Sequence, residues 1–176
     1  MESSELARFE AVVLPHLDAA YTLARYLTRN EQDAEDVVQD ACLRAIRHFE
    51  SFHGTEEQSV RAWLLTIVRN TAYSEYRRQR GGAPMIEFDE EQHSEIVAEE
   101  GPQSDLLRRE ARDALGRALE RLSPEFREVI VLREVEGLSY KEISGVTGVP
   151  VGTVMSRLSR ARKQLQDALA LDRKER

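Results

Sequence analysis

Residues 139–164, SYKEISGVTGVPVGTVMSRLSRARKQ, constrain this chain more tightly than any other stretch. They read as two short helices joined by a tight turn. Ser139 caps the first, and Glu142 completes an S-x-x-E capping box. Ile143 and Val146 give that helix an apolar edge. Gly148 admits a left-handed backbone that side chains resist, and Pro150, with no N–H to donate, suits a helix start. The second helix, residues 151–165, sets Val154, Leu158, Ala161 and Leu165 along one narrow seam. Thr153, Ser156, Arg157, Arg160 and Lys163 lie away from that seam. Residues 151–164 hold four positive charges and no negative one. A short helix with one buried seam and a basic, hydroxyl-bearing face fits a DNA major groove. The spacing predicts a helix-turn-helix with residues 151–165 as its recognition helix.

The rest of the chain is also helical in pattern. β-Branched runs are short and sit inside 3.6-residue periodicity, so no strand is predicted. Leu6, Phe9, Val13, Leu17, Ala20, Leu23, Ala24 and Leu27 recur at helical spacing, with Pro15 imposing a kink or a junction of two helices. Asn30 is the next cap, with Asp33 at the third helical position. The helix that follows, to about Phe49, buries Ala34, Val37, Val38, Ala41, Cys42, Ala45, Ile46 and Phe49. On its other side Asp36, Gln39, Asp40 and Leu43 align at i, i+3, i+4 and i+7. That stripe is either a protein contact or a solvated face with one stray leucine.

Residues 49–59 read as a loop, and residues 60–80 as a third helix with Trp63, Leu64, Ile67, Val68 and Thr71 facing inward. The second half of that helix gathers Asn70, Tyr73, Tyr76, Arg77, Arg78 and Arg80. Two readings fit. Aromatic rings with arginine make a platform for unstacked bases and a track for phosphates, while arginines at a helix C-terminus also complement its dipole.

Residues 81–104 open on Gly-Gly, close near Gly-Pro, and carry seven acids and no base. They read as an acidic flexible linker, either a plain tether or an acidic strand for a partner's basic channel. Residues 105–122 form a helix, Ser123-Pro124 starts another that buries Phe126, Val129, Ile130 and Leu132, and Gly137 stops it. With the opening pair, this makes a four-helix unit. The fold class is therefore all-α: two small helical domains, residues 1–80 and 105–176, joined by residues 81–104.

A net charge of −7 argues against nucleic acid only until its distribution is seen. The linker's seven acids account for all of it, and residues 105–176 are net basic. His16, His48, His53 and His93 are scattered without metal-ligand spacing, and no phosphate loop or nucleophile motif is present. No enzyme activity, metal or cofactor is expected. Cys42 is a lone thiol at a helix core position. The acidic N-terminus has no apolar leader and no run is long enough to span a membrane, so a cytoplasmic protein without membrane insertion is expected.

Several segments taken together resemble one family. EDVVQD at residues 35–40, Trp63 to Asn70 with the pattern WL-x-x-IVRN, and a basic tail stand in the first half. LSPEFREVIVLREVEGLSYKEIS and GVPVGTVMSRLSRAR stand in the second. In this order they resemble the bacterial RNA polymerase sigma factors of the extracytoplasmic-function (ECF) group, which have sigma domains two and four joined by a linker. The resemblance covers nearly the whole chain.

That resemblance implies residue roles. Asp36, Gln39, Asp40 and Leu43 would dock on the clamp helices of the largest subunit of core RNA polymerase. Asn70, Tyr73, Tyr76, Arg77, Arg78 and Arg80 would melt and hold the minus-ten promoter element, with Asn70 reading a flipped base. Ser156 and Arg160 would reach the minus-thirty-five duplex, and Thr153, Arg157 and Lys163 its phosphates. Met155 and Ser159 lie on the same surface but depart from the family pattern, which more often has a basic residue at the first and a bulkier one at the second. The segment after Asn70 also lacks an aspartate common in the family. An anti-sigma factor is the further partner implied. The rival readings are a stand-alone helix-turn-helix regulator and a sigma mimic that binds only an anti-sigma factor.

Overall fold

The computed structural model describes residues 3–53, 57–81 and 104–175, and within them no strand occurs. The acidic linker expected over residues 81–104 lies almost wholly outside the described residues, as does the centre of the loop after Phe52. Helix α1 (Ser3–Val13) and helix α2 (Leu17–Thr28) meet at a 3-10 turn, Leu14–His16, that holds Pro15. The junction forced by that proline is therefore present. Helix α2 ends on Arg29 in the left-handed region, with φ of 59°. Helix α3 (Glu31–His48) starts on Asn30, whose Oδ1 accepts the Asp33 N–H at 3.0 Å. Helix α4 (Glu57–Gln79) begins inside the stretch expected as loop, so the loop is shorter than the sequence suggests.

Alanines at 20, 24, 34, 41 and 45 are fully buried, and such small side chains let α2 and α3 approach closely. Leu23, Val37, Leu64, Leu65 and Val68 fill the space between α2, α3 and α4. Phe9 meets Phe49 edge to face at 5.3 Å, and Phe52 stacks on Trp63 at 4.5 Å. These rings close the end of the bundle from which α4 departs.

The second half contains α5 (Ser104–Glu120), α6 (Pro124–Ile130), α7 (Tyr140–Thr147) and α8 (Val151–Lys174). Ser123 precedes α6 as expected, but its side chain caps nothing; its carbonyl accepts the Phe126 and Arg127 N–H groups. After α6 the chain widens into a π-turn, Val131–Val135, where the Glu136 N–H reaches back five residues to the Val131 carbonyl. Helix α7 carries the complete capping box: the Glu142 N–H donates to Ser139 Oγ at 3.1 Å and the Ser139 N–H to Glu142 Oε2. Gly148 follows at φ of 73°. Val154, Leu158 and Ala161 are buried, and Leu165 half-buried, as the seam requires. Helix α8 runs well beyond Leu165 because Ala168 packs inward and Arg117 of α5 holds Asp172 through two bonds of 3.0 and 3.1 Å. Leu106 and Leu107, at the start of α5, are 60% and 71% exposed, so that end of the helix contributes little to the core.

The two halves also meet each other. Buried residues of α2, α4, α6 and α7 belong to one continuous apolar cluster. Two consecutive charged residues of α6 sit at the junction. Arg127, 1% exposed, donates to the carbonyls of Leu119, Glu120 and Leu122 at the end of α5, and to that of Tyr26 near the end of α2 at 2.9 Å. Glu128, wholly buried, accepts from Arg69 of α4.

Candidate nucleic-acid interface

Three surfaces hold the residues singled out in the sequence. The first is the outer face of α8. Helical geometry places Ser156, Ser159, Arg160 and Lys163 on one side, opposite Val154, Leu158 and Ala161. All four are exposed, and Met155, 52% exposed, stands at their edge. Thr153, half-buried, offers its carbonyl to the Ser156 hydroxyl at 3.0 Å. Arg157 departs from expectation. It turns toward α6, half-buried, and pairs with Glu125 at 3.8 Å. The exposed face is thus two hydroxyls, a guanidinium and an ammonium, with no carboxylate among them. That set donates readily to base edges and phosphates.

The second surface is the last three turns of α4. Arg69, Tyr73, Tyr76 and Arg80 follow each other at i, i+4, i+7 and i+11 and so form one stripe. They stack in pairs: the Arg69 guanidinium lies 4.2 Å from the Tyr73 ring centre, and that of Arg80 4.8 Å from Tyr76. Asn70 and Arg77, both exposed, flank the stripe. Arg78 points away from it and is bonded to Glu75 at 2.6 Å. Tyr73 departs from expectation, because α6 covers it. Its hydroxyl is fully buried beside Glu128 without a hydrogen bond of good geometry. Burial, with the Glu128 charge adding to it, pushes its phenol well above the usual tyrosine range.

Arg69, Arg127 and Glu128 were not singled out in the sequence. Arg69 Nε donates to Glu128 Oε2 at 3.0 Å and Nη2 to Oε1 at 3.3 Å, while Nη1 reaches Asn70 Oδ1 at 3.4 Å. Burial pushes the Glu128 carboxyl above the ordinary carboxylate range, and the Arg69 bond offsets only part of that. Burial opposes the Arg69 charge, but the bond and charge of Glu128 outweigh it and hold the guanidinium above its usual range. Arg127 is pushed down to about 10 by burial, with the charge of Arg29 adding to the effect. One signal was available: α6 is seven residues long and apolar on both sides of the Arg-Glu pair, which leaves little room for a solvated face.

The third surface is the outer stripe of α3. Leu43 is 52% exposed, and Asp36 and Gln39 are exposed beside it. Asp40 is bonded along the helix to Arg44 at 2.9 Å, and Asp36 accepts from Gln32. The leucine expected to stand among carboxylates does so. Among the described residues no cluster suits a metal ion, and no helix is long and apolar enough to cross a membrane.

Comparison with known proteins agrees with this geometry. The family described as Sigma-70 region 2 matches residues 12–81, and the one described as Sigma-70, region 4 matches residues 112–165. The ECF RNA polymerase sigma factor SigE of Mycolicibacterium smegmatis is 36% identical over 96% of this chain, which spans 64% of that relative's length. The ECF RNA polymerase sigma-E factor of Escherichia coli is 34% identical over 84% of this chain and 78% of its own. Among solved structures, the sigma factor RpoE of Bartonella quintana, in complex with the anti-sigma factor NepR, matches with a TM-score of 0.74 at 32% identity, covering 94% of this chain and 98% of that one. CnrH, solved with the cytosolic domain of CnrY, matches with a TM-score of 0.62 at 29% identity, covering 93% and 88%. Helical bundle, helix-turn-helix and relatives agree: the chain belongs to the ECF sigma factors of bacterial RNA polymerase.

Proposed function

We propose that this sigma factor divides its work among the three surfaces just described. The α3 stripe of Asp36, Gln39, Asp40 and Leu43 docks on the clamp helices of core RNA polymerase. The α4 tail opens and holds the minus-ten element with Asn70, Tyr76, Arg77 and Arg80; Tyr73, under α6, and Arg78, held by Glu75, join them only when those contacts are released. The α8 face reads the minus-thirty-five duplex with Ser156 and Arg160, while Thr153, Met155, Ser159 and Lys163 border the groove and Arg157, drawn toward Glu125, stands behind them. The observation that carries this reading is the exposed, carboxylate-free face of α8, on the same chain as a basic aromatic stripe on α4. One side suits duplex DNA and the other suits unstacked bases. The chain catalyses no reaction itself, acts in the cytoplasm with the polymerase, and is held inactive by an anti-sigma factor. RpoE, which was solved with such a factor, supports that last assignment.

The test is transcription in vitro with purified core polymerase, this chain and a library of genomic fragments, with RNA starts sequenced. Starts sharing two spaced upstream elements are expected. Tight core binding without initiation would favour a sigma mimic. Duplex binding without core binding would favour a stand-alone regulator.

A further inference from the structure

The Arg69–Tyr73 pair is built like the Tyr76–Arg80 pair two turns further along, at the end of α4, and the first of them is covered by α6 of the second half of the chain. What covers it is a carboxylate. Glu128 meets both Nε and Nη2 of Arg69 in the forked geometry that a guanidinium offers equally to a phosphate. The aromatic ring beneath that guanidinium belongs to Tyr73, whose hydroxyl is buried without a well-formed bond. The covered arrangement satisfies Arg69 well and Tyr73 poorly, because the Tyr73 hydroxyl lies beside Glu128 without a bond of good geometry. A ligand with both an anionic group and hydrogen-bonding atoms would satisfy the two together. Asn70, expected to read a base, adjoins the pair through the bond from Arg69 Nη1.

We propose that Arg69 and Tyr73 form a binding site for the backbone phosphate and base of single-stranded DNA, and that Glu128 fills this site in the free chain as an intramolecular stand-in for phosphate. Arg69 then has two uses. It holds the halves together when no DNA is present, and it holds the strand when they part. The inference rests on the reading of the α4 tail as the strand-holding surface, and it adds to that surface a residue the sequence pattern did not assign. It also makes strand binding and this interdomain contact mutually exclusive, because one guanidinium edge cannot serve both anions.

The experiment uses the full chain without polymerase and a fluorescein-labelled oligothymidylate, read by fluorescence anisotropy at low ionic strength. Glu128→Gln keeps the volume and removes the competing charge. It is expected to bind the oligonucleotide roughly tenfold tighter than the natural chain, in line with one charge-assisted phosphate contact freed. Arg69→Lys and Arg69→Gln supply a second comparison that leaves α6 untouched. Both loosen the fork to Glu128, but only lysine retains a charge for phosphate, so Arg69→Lys should bind tighter than the natural chain and Arg69→Gln no better than it. Equal behaviour of these two variants, with native helicity by circular dichroism, would show a merely structural role and overturn the proposal. So would a folded Glu128→Gln that gains no affinity, or a chain that binds no oligonucleotide in any form. Transcription with core polymerase is scored separately. If the natural chain initiates while these variants fail the anisotropy test, only this site is lost and the sigma reading stands.

Discussion

At the scale of single residues, the chain separates positions that read from positions that hold. Arg160 is the proposed reader: it stands exposed on the α8 face, and Arg160→Ala should lose roughly 1–3 kcal/mol of promoter discrimination, the worth of one bidentate base contact, without loss of affinity for core enzyme. Footprinting on a mapped promoter, beside a core-binding assay, checks both halves of that statement. Arg127 holds: it donates to four carbonyls at the ends of two helices, and Arg127→Ala removes that donor from all of them, leaving only Leu119 with the Leu122 N–H. Denaturant unfolding should show a loss of about 3 kcal/mol or more. Glu128 gives a pH signature. Its carboxyl is raised in the fold by burial, against Arg69 and Arg157 which draw it down. The folded chain therefore binds this proton more tightly than the unfolded chain. The contribution is most favourable below the ordinary carboxylate range and is lost as pH rises through the raised value. Glu128→Gln lacks that dependence, so its stability relative to the natural chain should improve as pH rises across that window. Parallel melts at several pH values measure it.

At the scale of elements, the parts legible in the sequence are those fixed by local rules. The capping box at Ser139 and Glu142, the turn at Gly148 and the buried seam of α8 each depend on neighbours a few residues away, and all three are present. Gly148→Ala meets no atom within 4 Å, so its cost comes from the backbone alone, about 1–2 kcal/mol for a side chain held left-handed. A lower melting temperature with unchanged groove residues is the expected result. The α3 stripe was equally legible, because its spacing alone separates inner and outer faces. Asp40→Arg should weaken core binding, measured by competition against a labelled sigma factor, while the pairing lost with Arg44 costs little stability at an exposed site. What the sequence did not reveal depends on distant neighbours. Tyr73 and Arg157 have the composition of DNA-facing residues, but α6 lies against both. The continuation of α8 past Leu165 depends on the ion pair of Arg117 with Asp172, 55 residues apart, which no local window contains.

At the scale of the whole molecule, the helical halves are joined by more than a tether. Apolar residues of α2, α4, α6 and α7 are continuous, and Arg69, Arg127 and Glu128 cross the junction. Unfolding followed separately by Trp63 fluorescence, which reports on the first half, and by probes on α8 should therefore give coincident transitions in the natural chain. Weakening the junction with Arg69→Gln should separate them. The bond from Arg127 to the Tyr26 carbonyl spans 101 residues, and that separation has a meaning in time as well as in space. At about 5–20 residues per second, a ribosome takes roughly 5–20 s to make the intervening chain. In roughly the second half of that interval α4 is already made, the Tyr26 carbonyl still lacks its arginine, and the arginine–tyrosine stripe has no carboxylate of α6 upon it. Every newly made copy thus passes through an uncovered youth before translation delivers its own cover.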